Sequence, residues 1–202
     1  MGHGVASALT ATPGVGSLRN SRHRGHSLTE QASTANTAVV EHAAVTSTFP
    51  TAILGRIDLP TGVCQFLNAG HLPPLLVRDG DVQPLRLPHN FPLGMLPDAT
   101  YHAGEVTLLP GDRLVVLADG MRERQAAALD LAAELRRLTD LHPREATRAL
   151  GDAVLQVAGP TLADDATIMI IDWYGGHGQL RHSTAGAEPA RASAPLTDET
   201  AD

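Results

Sequence analysis

Two acidic positions lie at the ends of strongly apolar runs, where an isolated charge is expensive. The run Leu114-Val115-Val116-Leu117-Ala118 delivers Asp119, and Gly120 lets the chain turn sharply behind it. The pair Asp164-Asp165 stands just before a second run, Ala166-Thr167-Ile168-Met169-Ile170-Ile171. If the two runs are neighbouring strands, their carboxylates converge and repel. A hard dication such as Mg2+ or Mn2+, which prefers oxygen ligands, is the usual remedy. Each position also has a plainer reading, because Asp-Gly after a strand is commonly a turn and an Asp before a strand can cap a loop. Spacing alone does not choose between these readings.

Other reactive side chains point elsewhere. The single cysteine, Cys64, sits inside an apolar run with no His partner in the sequence around it, so it reads as a small buried residue. Neither a GxSxG nor a Cys-x5-Arg arrangement occurs, so no side-chain nucleophile is expected. His71 follows Asn68-Ala69-Gly70 and precedes Leu72-Pro73-Pro74, a turn followed by an extended entrance to the next strand, which favours a structural role. The group Arg19, Arg22, His23 and Arg24 reads as a solvated helix end, since no aromatic residues interleave with it.

A formal charge of -7 over 202 residues argues against general attraction to nucleic acid. All 15 basic residues are Arg, which reads as codon bias and carries no functional weight. One cysteine excludes a disulfide framework and makes the cytoplasm the natural compartment. No apolar stretch approaches the roughly 18 residues a membrane span needs, and no signal pattern opens the chain. A soluble, unexported protein without a membrane partner is expected.

The elements that must position the two acidic sites follow from periodicity. Ser27 and Glu30 have capping-box spacing, and Leu28, Ala32, Ala35, Val39 and Ala43 then share one face of a helix over residues 27–44. Residues 4–18 have helical character interrupted by Pro13, Gly14 and Gly16, which predicts a kinked or broken helix. Short β-favouring runs follow at 51–57, 63–67, 75–77, 82–87, 105–108 and 113–118, separated by turn residues. Helical pattern returns at 125–138 and 143–158, with Pro143 suited to a first helical position. The last run, 166–173, is expected to be a strand buried on both faces. Helices flanking many short strands predict an α+β sandwich with mainly antiparallel sheets. From residue 175 the chain is rich in Gly, Ala, Ser, Thr and Pro, the composition of a disordered tail over 175–202.

The motifs, taken together, resemble one family. Asn68-Ala69-Gly70-His71-Leu72-Pro73-Pro74-Leu75-Leu76 is similar to the NAGHPPPLL region of SpoIIE/RsbU-type phosphatases, a bacterial branch of the PPM, or protein phosphatase 2C, superfamily. Pro92-Leu93-Gly94, then Pro110-Gly111-Asp112 leading to Asp119-Gly120, then Asp164-Asp165-Ala166-Thr167, match its PLG, PGD…TDG and DDAT motifs in order and spacing. Gly2-His3-Gly4 resembles the GHG behind its first metal-binding strand. The motifs reach from Gly2 to Trp173, which makes 1–174 the phosphatase domain.

The resemblance implies a four-layer α-β-β-α sandwich and a two-metal centre of Mn2+ or Mg2+ that hydrolyses phosphoserine or phosphothreonine with a metal-activated water. Asp119 and Asp164 correspond to metal ligands. Asp165 is less constrained, because many relatives have Asn there, and His3 and Gly120 are possible near-site residues. The implied substrate is a phosphorylated protein, with an anti-anti-sigma factor as the type relatives act on. Relatives also carry acidic ligands upstream of GHG, whereas here Met1 directly precedes Gly2. The sandwich is therefore expected to be incomplete, with unpaired sheet edges and little activity in the chain as given. A start upstream of Met1 is the favoured explanation. The alternatives are a catalytically inactive phosphatase-fold interaction module or gene fragment and, third, a small metal-binding protein.

Overall fold

The structure is a computed structural model, and it describes residues 5–42, 49–118, 129–158 and 167–175. Two helices come first, α1 (Val5–His23) and α2 (Leu28–His42). The predicted capping box starts α2: the Ser27 N–H donates to Glu30 Oε2 at 2.7 Å, and the Glu30 N–H returns to Ser27 Oγ at 3.3 Å. The Ser27 hydroxyl also donates to Glu30 Oε2 at 2.7 Å, and this bond, together with the one from the Ser27 N–H, holds the Glu30 carboxyl below its usual range.

The expected break in the first helix is absent, since α1 is one helix with Pro13 inside it. The reason is tertiary. Gly14 is buried against α2, where a Cβ would come within 3.0 Å of Val39 Cγ2. The glycine that weakens an isolated helix thus permits close helix packing, which offsets the hydrogen bond lost at proline.

Strands β1 (Ala52–Ile57), β2 (Val63–Ala69), β5 (His89–Asn90) and β6 (Gly104–Thr107) form one sheet. Strands β3 (Leu75–Arg78), β4 (Asp81–Pro84), β7 (Arg113–Leu117) and β8 (Ile168–Asp172) form the other, in the order β4-β3-β7-β8. All pairings are antiparallel except the short β2–β5 contact. Helix α3 (Leu131–Arg137) is shorter than the 125–138 expected, and residues 125–128 lie outside the described residues. Asp130 caps it by accepting from the Ala133 N–H at 3.0 Å. Helix α4 (Pro143–Ala158) has the expected bounds.

Three apolar clusters stack these elements in layers. Leu28, Ala32, Ala35 and Val39 of α2 meet Leu54, Leu67 and Ala69 of the first sheet. Cys64 and Phe66 on the opposite face of β2 meet Leu114 and Trp173 between the sheets. Val115 and Leu117 on the outer face of β7 pack with Leu135, Ala146, Leu150 and Val154 of α3 and α4. The result is an α-β-β-α order in which β2 and β7, each apolar on both faces, are the central strands.

One expectation needs correcting. Strand β8 is not buried on both faces, because Met169 is 47% exposed. Among the described residues β8 lies at the edge of its sheet, so one side of the strand has no neighbour to cover it.

Candidate metal centre

The condition set by the sequence was that the two acidic runs be neighbours, and they are. Strands β7 and β8 pair antiparallel in the register Leu117↔Ile168, Val115↔Ile170 and Arg113↔Asp172. The ladder continues one step further, with the Ala118 N–H donating to the Thr167 carbonyl at 2.9 Å. Asp119 is the next residue after Ala118, and Asp165 stands two residues before Thr167. Asp119, Gly120, Asp164, Asp165 and His3 themselves lie outside the described residues. What the structure describes is the approach of the two runs, which ends at Ala118 and Thr167. Among the described residues no group of three or more His, Cys, Asp or Glu forms a metal cluster.

The other end of the same ladder holds charges that the sequence reading did not single out. Arg113 and Asp172, almost fully buried, form an ion pair with Nε to Oδ1 at 2.6 Å and Nη2 to Oδ2 at 2.9 Å. Arg113 also donates to the Leu138 and Leu141 carbonyls, which tethers the loop behind α3 to the sheet. Asp112, 2% exposed, accepts from Arg78 Nε at 2.8 Å and Nη2 at 2.6 Å and from the Leu109 N–H at 2.7 Å. The Asp of the PGD motif is thus a structural brace for the turn before β7. One signal was available: Arg113 opens one apolar run and Asp172 closes the other, which antiparallel pairing sets opposite each other.

The remaining motifs are also scaffolding. Asn68 Nδ2 donates to the His71 carbonyl at 2.9 Å, and Asn68 Oδ1 accepts the His71 N–H at 2.7 Å. The His71 ring meets the Thr51 hydroxyl at 3.1 Å, so the structural reading of His71 holds. Gly94 of Pro92-Leu93-Gly94 has φ +80° and sits so close to α2 that a Cβ would lie 2.4 Å from Val39 Cγ1. Buried Asn36 holds that loop: it accepts from the Gly94 N–H at 2.8 Å and the Tyr101 hydroxyl at 3.0 Å, and donates to the Leu96 and Pro97 carbonyls at 2.9 and 3.0 Å. Asn36 was missed, although it is the polar residue placed among Ala32, Ala35 and Val39 on the apolar stripe.

Burial pushes the Cys64 thiol up to about 11 and the Tyr101 phenol up to about 12. Neither is an ionised nucleophile near neutral pH.

Comparison with known proteins agrees with this architecture. The family model described as Stage II sporulation protein E (SpoIIE) matches residues 1–174. The chain belongs to the SpoIIE family. Within that family, Stage II sporulation protein E of Bacillus subtilis (strain 168) is 24% identical over 152 residues, which is 73% of this chain and 17% of that protein. The solved PP2C phosphatase domain with a fragment of the regulatory domain of SpoIIE from Bacillus subtilis superposes with a TM-score of 0.68 at 21% identity, covering 84% of this chain and 51% of that one. The SiaA-PP2C domain of Pseudomonas aeruginosa gives a TM-score of 0.71 at 22% identity, covering 85% of this chain and 72% of that one. The fold is therefore α+β of the PP2C type, and the chain spans about a sixth of its SpoIIE relative from Bacillus subtilis and about half of the first solved chain. The solved Bacillus subtilis relative is described as a PP2C phosphatase domain.

Proposed function

We propose that this chain carries part or all of a metal-dependent phosphoserine/phosphothreonine protein phosphatase, with 1–174 as its phosphatase domain and 175–202 as a tail. The observation that carries the reading is the Ala118–Thr167 hydrogen bond, which continues the β7–β8 ladder to the residue before Asp119 and the second residue after Asp165. Carboxylates at two such adjoining strand ends form a hard-oxygen donor set suited to Mn2+ or Mg2+. Asp119 and Asp164 would hold the cation, with Asp165 as a weaker third candidate. When bound, divalent cations supply Lewis-acid activation of water and neutralise phosphate charge.

The chain's own part is positional. The β7–β8 register sets the spacing of the acids, the Asn36-held loop and the Asn68–His71 turn stiffen the surrounding backbone, and buried Cys64 leaves no competing thiol nucleophile. His3 and Gly120 are candidates for shaping the site without touching phosphate. The proposed substrate is a phosphorylated protein in the cytoplasm, of the anti-anti-sigma type that the family resemblance implies. No helix among the described residues is long and apolar enough to cross a membrane.

The test is Mn2+ binding, read by the loss of the free-ion electron paramagnetic signal, paired with hydrolysis of a phosphoserine peptide. Binding and any turnover that fall in both Asp119→Asn and Asp164→Asn support the reading. Mn2+ binding equal in the parent and both variants sinks it. A chain that binds no Mn2+ at all favours the inactive interaction module.

A further inference from the structure

Nine large apolar side chains are substantially exposed among the described residues, and three of them, Phe91, Met95 and Leu96, fall within six positions of one loop. The others are spread over α1, α4, β8 and two turns. Single exposed apolar residues are ordinary, whereas a local concentration of them marks a contact surface. Residues 91–97 carry no charged side chain.

The loop displays these side chains on a fixed backbone. Leu93, between them, is buried in the α2 cluster, and its N–H donates to the Pro50 carbonyl at 3.0 Å. Asn36 accepts the Gly94 N–H and donates to the Leu96 and Pro97 carbonyls. The Met95 N–H closes a turn on the Pro92 carbonyl, and Asn90, just before the loop, donates to the carbonyls of Asn68 and His102. Leu93 goes in and its three large neighbours stay out. A surface held in this way loses little conformational entropy when a partner binds.

Strand direction places the loop in the sandwich. Cys64, at the start of β2, shares a cluster with Leu114 and Trp173, and a Cβ on Gly62 just before it would be 3.0 Å from Trp173 Nε1. The start of β2 therefore lies over the Arg113–Asp172 end of the β7–β8 ladder. Packed sheets keep their strands within about 30° of one another, so β2 and β7 finish at the same end, at Ala69 and Leu117. Gly70 ties the loop to that end, since a Cβ on it would be 2.6 Å from Pro92 Cγ. The apolar loop and the Ala118–Thr167 step of the ladder thus share one end of the sandwich, in different sheets.

A protein substrate and a second copy of the chain are the two occupants to weigh. At roughly half of the 150–250 Å² that a large side chain buries, the three offer about 300 Å², far below the roughly 800 Å² per partner of a stable interface. That area suits a transient contact and not a permanent dimer. Resting on the phosphatase reading, we propose that Phe91, Met95 and Leu96 form a docking ledge for the phosphoprotein substrate. The two sheets lie about 10 Å apart, the length of about three extended residues. The ledge therefore takes an apolar side chain about three to five residues from the phosphorylated Ser or Thr. It sets specificity and has no part in the hydrolysis.

The experiment uses the full chain in Mn2+ and four fluorescein-labelled peptides, read by anisotropy. Each has a central phosphoserine or serine, with Leu or Gln about four residues away on either side and polar residues elsewhere. Leu peptides are expected to bind about tenfold more tightly than Gln peptides, and phosphoserine peptides more tightly than serine ones. In Phe91→Ser/Met95→Gln/Leu96→Gln the Leu preference disappears, while the phosphoserine preference stays and the melting temperature remains close to the parent's, because all three side chains are exposed. The conservative Met95→Leu keeps the Leu preference. A parent indifferent to Leu and Gln, or a Leu preference that survives the triple substitution, overturns the proposal. The phosphatase reading then still stands if the phosphoserine preference is present and is lost in Asp119→Asn. Equal binding of phosphoserine and serine peptides by the parent sinks the phosphatase reading, and the substrate assignment falls with it. Self-association of the parent that the triple substitution abolishes gives the loop to a second copy and overturns the proposal as well.

Discussion

The two ends of the β7–β8 ladder handle charge in opposite ways. At one end Arg113 and Asp172 neutralise each other in near-complete burial, and partly solvated Arg78 pairs with buried Asp112. At the other, the ladder closes on Ala118 and Thr167 and hands the chain to Asp119 on one side and Asp164-Asp165 on the other. Paired charge inside a fold is committed to holding it, because removing either partner strands the other in a poor solvent. In the proposed centre, Asp119 and Asp164 would instead be left to a cation from solution. One ladder thus carries a structural end and a proposed functional end.

Four experiments break or sharpen that contrast, ordered by their expected effect on stability. Arg113→Ala strands buried Asp172 and frees the Leu138 and Leu141 carbonyls, so denaturant unfolding should show a loss of about 3–5 kcal/mol. Replacing Arg113 and Asp172 together by apolar residues of similar volume should recover most of it. Arg78→Ala should cost less, about 1–2 kcal/mol by the same measurement, because the guanidinium is partly solvated and Asp112 keeps the Leu109 N–H.

Asp119→Asn and Asp164→Asn test the other end. Each should leave the metal-free melting temperature unchanged or slightly raised, since a repelling charge is removed, while weakening Mn2+ binding by at least about tenfold. A marked destabilisation instead would mean that Asp119 is held by an internal cation, and Arg122 and Arg124 follow it in the sequence. The two ends would then be alike, and the contrast would fail.

The smallest effect belongs to Cys64, between the sheets. Burial raises its thiol from 9.0 to about 11 in the folded chain. A raised value favours the neutral form, so its contribution is complete below about pH 9 and is lost as pH rises towards about 11. Comparing the pH dependence of unfolding with that of Cys64→Ala isolates the contribution. Equal slopes across that window would show that the thiol is not buried as described.

Much of the architecture was legible because local pattern and global fold agree. The capping box at Ser27 and Glu30, the bounds of α4 and most strands follow from side-chain periodicity and turn residues. Of the kinked or broken first helix expected from Pro13, Gly14 and Gly16, the break is absent, and the seat of Gly14 against Val39 shows why the helix continues. Strand β8 was misread because an apolar run does not reveal its place in the sheet, and an edge position leaves Met169 exposed.

The candidate site divides in the same manner. By itself the sequence determined which residues carry hard-oxygen chemistry and that they end apolar runs, because the cost of burying charge is written in residue type and neighbours. It also determined the family, through the order of the short motifs. Tertiary structure decided that the two runs are adjacent, that Arg113 meets Asp172, and that Asn36 holds the loop around Gly94. These are contacts between residues distant in the chain, set by register and packing, and no local pattern encodes them.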